Sequence, residues 1–153
     1  MSLKSSFSKL CVTASTVGPL GYLPAPGTWG AAVGLLCAFM GSLYWWYSSA
    51  VLVSIVLAWF VIHYALPHFN QKDPSSIILD EVVSCALVFV GLPFCLPVAL
   101  VGFLAYRFFD ITKWCGVSWF EKLPGATGVL FDDCYAALLA HCLIRILVAY
   151  KIL

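Results

Sequence analysis

Adjacent acidic residues occur at two places in this 153-residue sequence, each at the start of an apolar run. The first pair is Asp80 and Glu81, and the second is Asp132 and Asp133. Carboxylates flanked by apolar sequence are costly unless they are paired, hydrated or bound to a cation, so they indicate a functional site. Converging carboxylates repel one another until a cation neutralises them, and hard oxygen ligands select Mg²⁺ or Mn²⁺. We therefore expect the two pairs to form a divalent-cation site.

A third charged group lies between the two acidic pairs. Arg107, Asp110 and Lys113 are spaced i, i+3, i+6, which places them on one side of a helix. The spacing alone fits a surface ladder of ion pairs equally well. Beside four carboxylates and an apolar boundary, however, the two cations suit a phosphate ester, with Arg107 bidentate and Lys113 a point charge. We expect an anionic, phosphate-bearing substrate.

Two glycine-containing segments could bring the backbone close to the same ligand. Residues 18–30 precede the first apolar run, and Thr28 within them is expected to cap the helix that follows. The free amides at such a helix start attract phosphate. Residues 124–128 form a similar turn ahead of Asp132. Each pattern is unspecific by itself, and both are candidates for a phosphate cradle.

The composition indicates that these groups lie at a membrane. Of the residues, 63% are hydrophobic and 10% are charged, and the mean hydropathy is +1.00, whereas soluble domains carry about 25% charged residues. No Asp, Glu, Lys or Arg occurs between Lys9 and Lys72. The balance of 8 basic and 7 acidic residues gives no overall field for a polyanion, which argues against nucleic-acid binding. We expect a membrane protein with one domain, residues 1–153.

The first apolar stretch, residues 29–66, is too long for one crossing. It would form about 57 Å of helix, against a hydrocarbon core of roughly 30 Å. Gly41-Ser42 and the aromatic run from Tyr44 to Tyr47 offer a break, and aromatic side chains suit the lipid–water boundary. We predict a helical hairpin with arms at 29–46 and 49–66.

The second apolar stretch is predicted to bend back on itself. Asp73-Pro74 has the pattern of a helix start, and Pro93 and Pro97 interrupt the run that follows. A re-entrant or hairpin path, with arms of about ten residues, would keep the acids near positions 80 and 110 on one side of the bilayer. Residues 129–150 are long enough to cross once. The expected fold is all-α: a helical integral membrane protein, built as a compact bundle with membrane-inserted and re-entrant helices.

These motifs, in this order, make the sequence resemble the phosphatidylglycerophosphatase A family of bacterial inner-membrane lipid phosphatases. Each motif is modest alone, and together they are specific, spanning positions 18 to 133. The sequence departs from the family pattern at Ser84, Trp114, Ala126 and Ala137, where small or turn-forming residues are exchanged. The matching residues are Pro24-Ala25-Pro26-Gly27-Thr28-Trp29-Gly30, Asp73-Pro74, Asp80-Glu81-Val82-Val83, Arg107-Phe108-Phe109-Asp110 with Lys113, and Gly125 to Gly128 followed by Asp132-Asp133.

The resemblance implies an Mg²⁺-dependent lipid phosphomonoester hydrolase that crosses the bacterial inner membrane several times. Its active site would face the cytoplasm. It would hydrolyse phosphatidylglycerophosphate to phosphatidylglycerol and inorganic phosphate, the last step in making that phospholipid. The sequence leaves protein partners open.

With that reaction in view, the four paired acids are expected to be the metal ligands. Asp80, Glu81, Asp132 and Asp133 would hold one or two Mg²⁺ ions, which activate a water and neutralise the phosphate oxygens. Either Asp80 or Glu81 could act as general base instead. Direct attack by water is the simplest route, since no Cys or His stands in a nucleophile motif.

The remaining candidates are expected to bind the substrate. Arg107 and Lys113 would clamp the terminal phosphate, and Thr28 with neighbouring amides would complete the cradle. Asp110 would either orient one of the two cations or donate a proton to the glycerol oxygen, and the sequence leaves both roles open.

Two other classes of protein fit the apolar composition. A small ion-binding membrane protein, such as a transporter subunit, would use buried carboxylates as a cation path. Its acids would lie in the middle of the spans, whereas here they lie at the edges, and the chain is short for a transporter. A purely structural scaffold would leave the concentrated carboxylates unexplained.

Overall fold

The computed structural model describes residues 2–71 and 73–153. Over these residues the regular structure is helical, with seven α-helices and no strand, which confirms the predicted all-α class. Short 3₁₀ turns lie at Leu20–Tyr22 and Leu66–His68. The α-helices are α1 (Ser2–Ser15), α2 (Pro26–Gly41), α3 (Tyr47–Ala65), α4 (Leu79–Val88), α5 (Leu96–Thr112), α6 (Val117–Phe120) and α7 (Ala126–Ala149).

The predicted hairpin is formed by α2 and α3. Both ends of α2 lie earlier in the chain than predicted, whereas α3 matches the second arm closely. A side chain at Gly41 would collide with the ring of Tyr47, so the glycine lets the two arms close. The Tyr47 hydroxyl donates a hydrogen bond of 2.6 Å to the carbonyl of Ala86, which ties the hairpin to α4.

The predicted helix start at Asp73-Pro74 is wrong, because α4 begins at Leu79 with Ile78 as its N-cap. The amide of Ile77 donates to the carbonyl of Pro74 at 2.9 Å, and the amide of Ile78 donates to Ser15 at the end of α1 at 2.9 Å. These hydrogen bonds hold residues 74–78 in a non-helical conformation, so the helix begins only at Leu79. As a result, the first acidic pair lies in the first turn of α4, where the helix dipole favours negative charge.

The chain then returns to the start of α4, as predicted. The turn between α4 and α5 contains Gly91 at φ +66° and leads into α5 at Leu96-Pro97. α4 has the ten residues expected of an arm, but α5 has 17, because its helix continues past the apolar run as far as Thr112. The last turn of α5 therefore reaches the acids of α4.

α7 forms the centre of the bundle and packs against α3, α4, α5 and α6. Its Ala136, Ala137 and Ala140 are fully buried, and small side chains let neighbouring helices approach closely. Gly34 of α2 makes a similar approach to α4, where a side chain would meet the carbonyl of Val82. Together with the packing of α5 on α7, these contacts bring the ends of α2, α4, α5 and α7 together at one end of the bundle.

The outer face of α3 is apolar and exposed. In the described part of the chain, one segment, Tyr47–His68, is long and apolar enough to cross a membrane. The crossing predicted for residues 129–150 and the multi-pass arrangement stay predictions. The exposed apolar side chains of α3 include Leu52, Val53, Val56, Leu57 and Phe60.

Candidate active site

A polar cavity of about 290 Å³ lies where the first turns of α2 and α4, the end of α5 and the start of α7 meet. The structure brings seven of the eight predicted site residues to its wall, although they come from three separate helices and a helix cap. Thr28 is the exception. The seven are Asp80, Glu81, Arg107, Asp110, Lys113, Asp132 and Asp133.

Three of the four predicted metal ligands converge on one point. Asp80, Glu81 and Asp133 each offer a carboxylate oxygen, and these oxygens all lie within 4.8 Å of one another. Asp80 and Asp133 are each 5% exposed. The second carboxylate oxygen of Glu81, Oε2, is buried and has no hydrogen-bond partner among the described residues. Hard oxygen donors at this separation fit a divalent cation such as Mg²⁺.

The protonation of this cluster is strongly perturbed. Burial raises the pKa of Asp80 well above its usual range, and the neighbouring carboxylates of Glu81 and Asp133 raise it further. Burial likewise raises the pKa of Asp133, followed by the charges of Glu81 and Asp110. The pKa of Glu81 is also raised, mainly by burial. The three acids therefore resist ionising together unless a cation joins them.

Asp132, the fourth predicted ligand, lies outside this cluster and binds Lys113. The Lys113 ammonium donates to Asp132 Oδ2 at 2.5 Å and to Asp110 Oδ1 at 3.4 Å. Lys113 caps the end of α5 at φ +51°, a left-handed conformation. Burial lowers its pKa, but the hydrogen bond from Lys113 to Asp132 and the surrounding acids outweigh burial and raise it. Lys113 is therefore a charged group that links α5 to α7.

Asp110 also holds the second cation. Arg107 Nη1 donates to Asp110 Oδ2 at 2.5 Å, so the two oxygens of Asp110 bind one cation each. The i, i+3 spacing within α5 therefore produces the predicted ion pairs. Both cations nevertheless line the cavity. Asp110 thus positions Arg107 and Lys113 beside the carboxylate cluster.

Thr28 was predicted to cap α2, and this prediction is wrong. α2 begins earlier, at Pro26, and its N-cap is Ala25 at φ +55° without a side-chain hydrogen bond. Proline fits the first turn because its fixed φ is helical and its missing amide hydrogen would be unpaired there. Thr28 is therefore exposed inside the first turn, with its amide donating to Ala25 at 3.0 Å.

Gly27, beside it, also belongs to the site, although in the sequence it stands out only as one residue of a glycine-containing motif. A Cβ at this position would collide with Glu81 Oε1 and would lie 3.2 Å from Arg107 Nη1. The backbone of α2 can approach the charged groups because there is no side chain. The glycine in the Gly-Thr-Trp-Gly run could have indicated that the backbone of α2 approaches other site residues closely.

The sequence model for the family described as phosphatidylglycerophosphatase A matches residues 13–148, a range that includes every group in this cavity. The chain is 31% identical over 124 residues to a protein named "Phosphatidylglycerophosphatase A" from Haemophilus influenzae, covering 76% of this chain and 75% of that protein. The chain belongs to the phosphatidylglycerophosphatase A family. The predicted resemblance is confirmed, and with it the prediction of an enzyme of the lipid phosphatase class.

A second relative carries a different name. The chain is 30% identical over 138 residues to a protein named "Putative phosphatidylinositol-3-phosphatase" from Bacteroides thetaiotaomicron, covering 82% of this chain and 86% of that protein. No solved structure matches the chain. Both names are those of phosphatases, and they contain different phosphatidyl lipids.

Proposed function

We propose that the protein hydrolyses the terminal phosphomonoester of phosphatidylglycerophosphate to phosphatidylglycerol and inorganic phosphate, as a step of phospholipid biosynthesis in the bacterial inner membrane. The observation that carries this proposal is the meeting of three carboxylates, two buried and one half-buried, with Arg107 and Lys113 in one cavity of a chain of this family. Carboxylates alone would suit a cation path. The two adjacent cations add the ability to bind a phosphate.

Mg²⁺ is the proposed cofactor, with Asp80, Glu81 and Asp133 as its protein ligands. The fit rests on the spacing of their oxygens, which lie within 4.8 Å of one another, and on the unpartnered Oε2 of Glu81. When bound, Mg²⁺ would supply positive charge to the phosphate oxygens and lower the pKa of an attacking water. Asp132 enters the proposal through Lys113, which it holds in place.

Arg107 and Lys113 are the proposed phosphate ligands. Arg107 can present a planar pair of N–H donors, and Lys113 a compact charge, to the non-bridging oxygens. Asp110 touches both cations, which favours the positioning role over proton donation to the glycerol oxygen. The bare backbone of Gly27 lets the start of α2 pack directly against Glu81 and Arg107, which helps to fix both side chains at the cavity. A carboxylate of the Asp80–Glu81 pair would accept the proton of the attacking water.

The lipid tails of the substrate would remain in the bilayer, because the α2–α3 hairpin is proposed to insert into it. α3 has 19 residues, or about 28 Å of helix, close to the roughly 30 Å hydrocarbon core. Exposed Tyr44, Trp45 and Trp46 stand at the tip of the hairpin, where aromatic residues suit a lipid–water boundary. The cavity lies at the opposite end of the bundle, which supports a site at headgroup level. We propose that this level is the cytoplasmic one.

The preference for one headgroup is tested by comparing lipids that differ only in the headgroup. The purified enzyme in lipid nanodiscs would be given phosphatidylglycerophosphate, phosphatidylinositol 3-phosphate or phosphatidate, with Mg²⁺ or with a chelator. We expect Mg²⁺-dependent phosphate release, fastest from phosphatidylglycerophosphate. Faster release from the inositol lipid would move the assignment toward the second relative.

Release from none of the three lipids in the presence of Mg²⁺ would contradict the proposal. Proteoliposomes loaded with a cation indicator would then test the transporter alternative. The orientation of the site is checked separately with single cysteines placed at Ser48 and Lys122 in a cysteine-free protein. We expect a membrane-impermeant thiol reagent to label position 122 only from the cytoplasm.

A further inference from the structure

Tyr106 in α5 is fully buried, with 0% of its surface exposed, and its hydroxyl has no hydrogen-bond partner among the described residues. A buried hydroxyl without a partner costs about 1–3 kcal/mol, so native structures rarely leave one unsatisfied. The other large buried tyrosine, Tyr47, follows this rule, since its hydroxyl donates to Ala86 at 2.6 Å. We therefore expect the hydroxyl of Tyr106 to form a hydrogen bond with a group that is not part of the chain.

The surroundings of Tyr106 show which partner is needed. Its pKa is raised first by burial and then by the charges of Asp133, Asp110 and Glu81, in that order. Tyr106 lies one helical turn before Asp110 on the same buried side of α5, and α5 packs against α7, which carries Asp133. No carboxylate forms a direct hydrogen bond with the hydroxyl. Tyr106 does not line the cavity itself.

Two residues of the cavity wall, Glu81 and Arg107, also carry buried atoms without a partner. Among the side chains that the structure describes, those of residues 6–71 and 73–153, the buried atoms that lack a partner are the Tyr106 hydroxyl, Glu81 Oε2 and Arg107 Nε. Two of these are donors and one is an acceptor. A buried water needs two to four polar partners, so a hydroxyl near several carboxylates is a suitable place for one.

We propose that Tyr106 is a positioning residue for the metal ligands: its hydroxyl donates a hydrogen bond, relayed by one buried water molecule, to the carboxylate of Asp133. The bond holds this carboxylate at the angle that faces Asp80 and Glu81. This inference rests on the metal site of the proposed function. Tyr106 does not touch the substrate, so it acts through the ligand that it orients.

The test removes only the hydroxyl, by Tyr106→Phe. Loss of such an outer partner typically weakens metal binding about 10–100-fold. We expect Mg²⁺ to bind at least about tenfold more weakly, measured by calorimetry on the purified protein without substrate. The activity should require correspondingly more Mg²⁺, while kcat at saturating Mg²⁺ and KM for the lipid stay close to the parent values.

Tyr47→Phe is the matched control. It removes a buried hydroxyl whose partner is the carbonyl of Ala86 rather than the acidic cluster. We expect a lower melting temperature and an unchanged Mg²⁺ affinity. A structural effect of losing any buried hydroxyl would appear in both variants, whereas the positioning role of Tyr106 predicts that Mg²⁺ affinity changes in one of them.

Two results would overturn the inference, and they differ in what they leave standing. If Tyr106→Phe binds Mg²⁺ as the parent does and melts at a higher temperature, the hydroxyl is merely unpaired, and the metal site of the proposed function survives. If the parent protein itself binds no Mg²⁺, both the inference and the metal assignment fail.

Discussion

Replacing Asp133 by Asn tests two effects of the carboxylate cluster: its proposed role in catalysis, and the destabilisation of the folded protein by repulsion between its acids. At an effective dielectric constant of about 20, two unit charges 4.8 Å apart repel by about 3.5 kcal/mol. The raised pKa values of Asp80 and Asp133 mean that protons already relieve part of this repulsion. We therefore expect Asp133→Asn to stabilise the metal-free protein by about 2 kcal/mol, a rise in Tm of roughly 4–8 °C.

The same substitution should abolish the response to Mg²⁺. A ligand present at 100 times its Kd stabilises the folded state by about 2.7 kcal/mol, and the parent protein should gain this amount. Asp133→Asn should gain almost none, and its phosphate release should fall about 10²–10⁴-fold, the equivalent of several kcal/mol of lost charge stabilisation. Thermal unfolding of the detergent-solubilised protein, with Mg²⁺ and with a chelator, measures both effects.

Asp132→Asn is the control for this experiment, because Asp132 is the adjacent acid and binds Lys113 instead of the cluster. It should keep the Mg²⁺-dependent rise in Tm. A variant Asp133→Asn that is less stable than the parent without metal, or that still gains stability from Mg²⁺, would refute the electrostatic account of the cluster.

Three further predictions follow from the same geometry. Asp132→Asn should raise KM for the lipid about tenfold through loss of a charge-assisted hydrogen bond that positions Lys113; an unchanged KM in a kinetic titration would contradict this. Gly27→Ala should lower kcat/KM while circular dichroism stays unchanged, because its Cβ displaces Glu81; full activity would show that the approach is not needed. The metal-free protein should lose stability as the pH rises above about 4, because acids ionise there in the unfolded chain while burial keeps protons on Asp80 and Asp133 in the folded one; a Tm that rises with pH would reverse this sign.

Much of the fold was predictable because its signals are local. The charge-free stretch and the break after Gly41 predicted the α2–α3 hairpin, and Pro93 and Pro97 predicted the return of α5 toward α4. Helix starts were harder to predict. The Asp73-Pro74 pattern did not start a helix, since the amide of Ile78 is bound to the end of α1, a contact between distant parts of the chain.

The sequence by itself determined the helical class, the kinds of charged group in the site and the family to which the chain belongs. The tertiary structure decided which groups act together. Asp132 and Asp133 are neighbours in sequence, yet one binds Lys113 and the other joins Asp80 and Glu81. Successive residues on a helix point about 100° apart, so each meets a different helix, and only the packing of α7 against α4 and α5 determines which one.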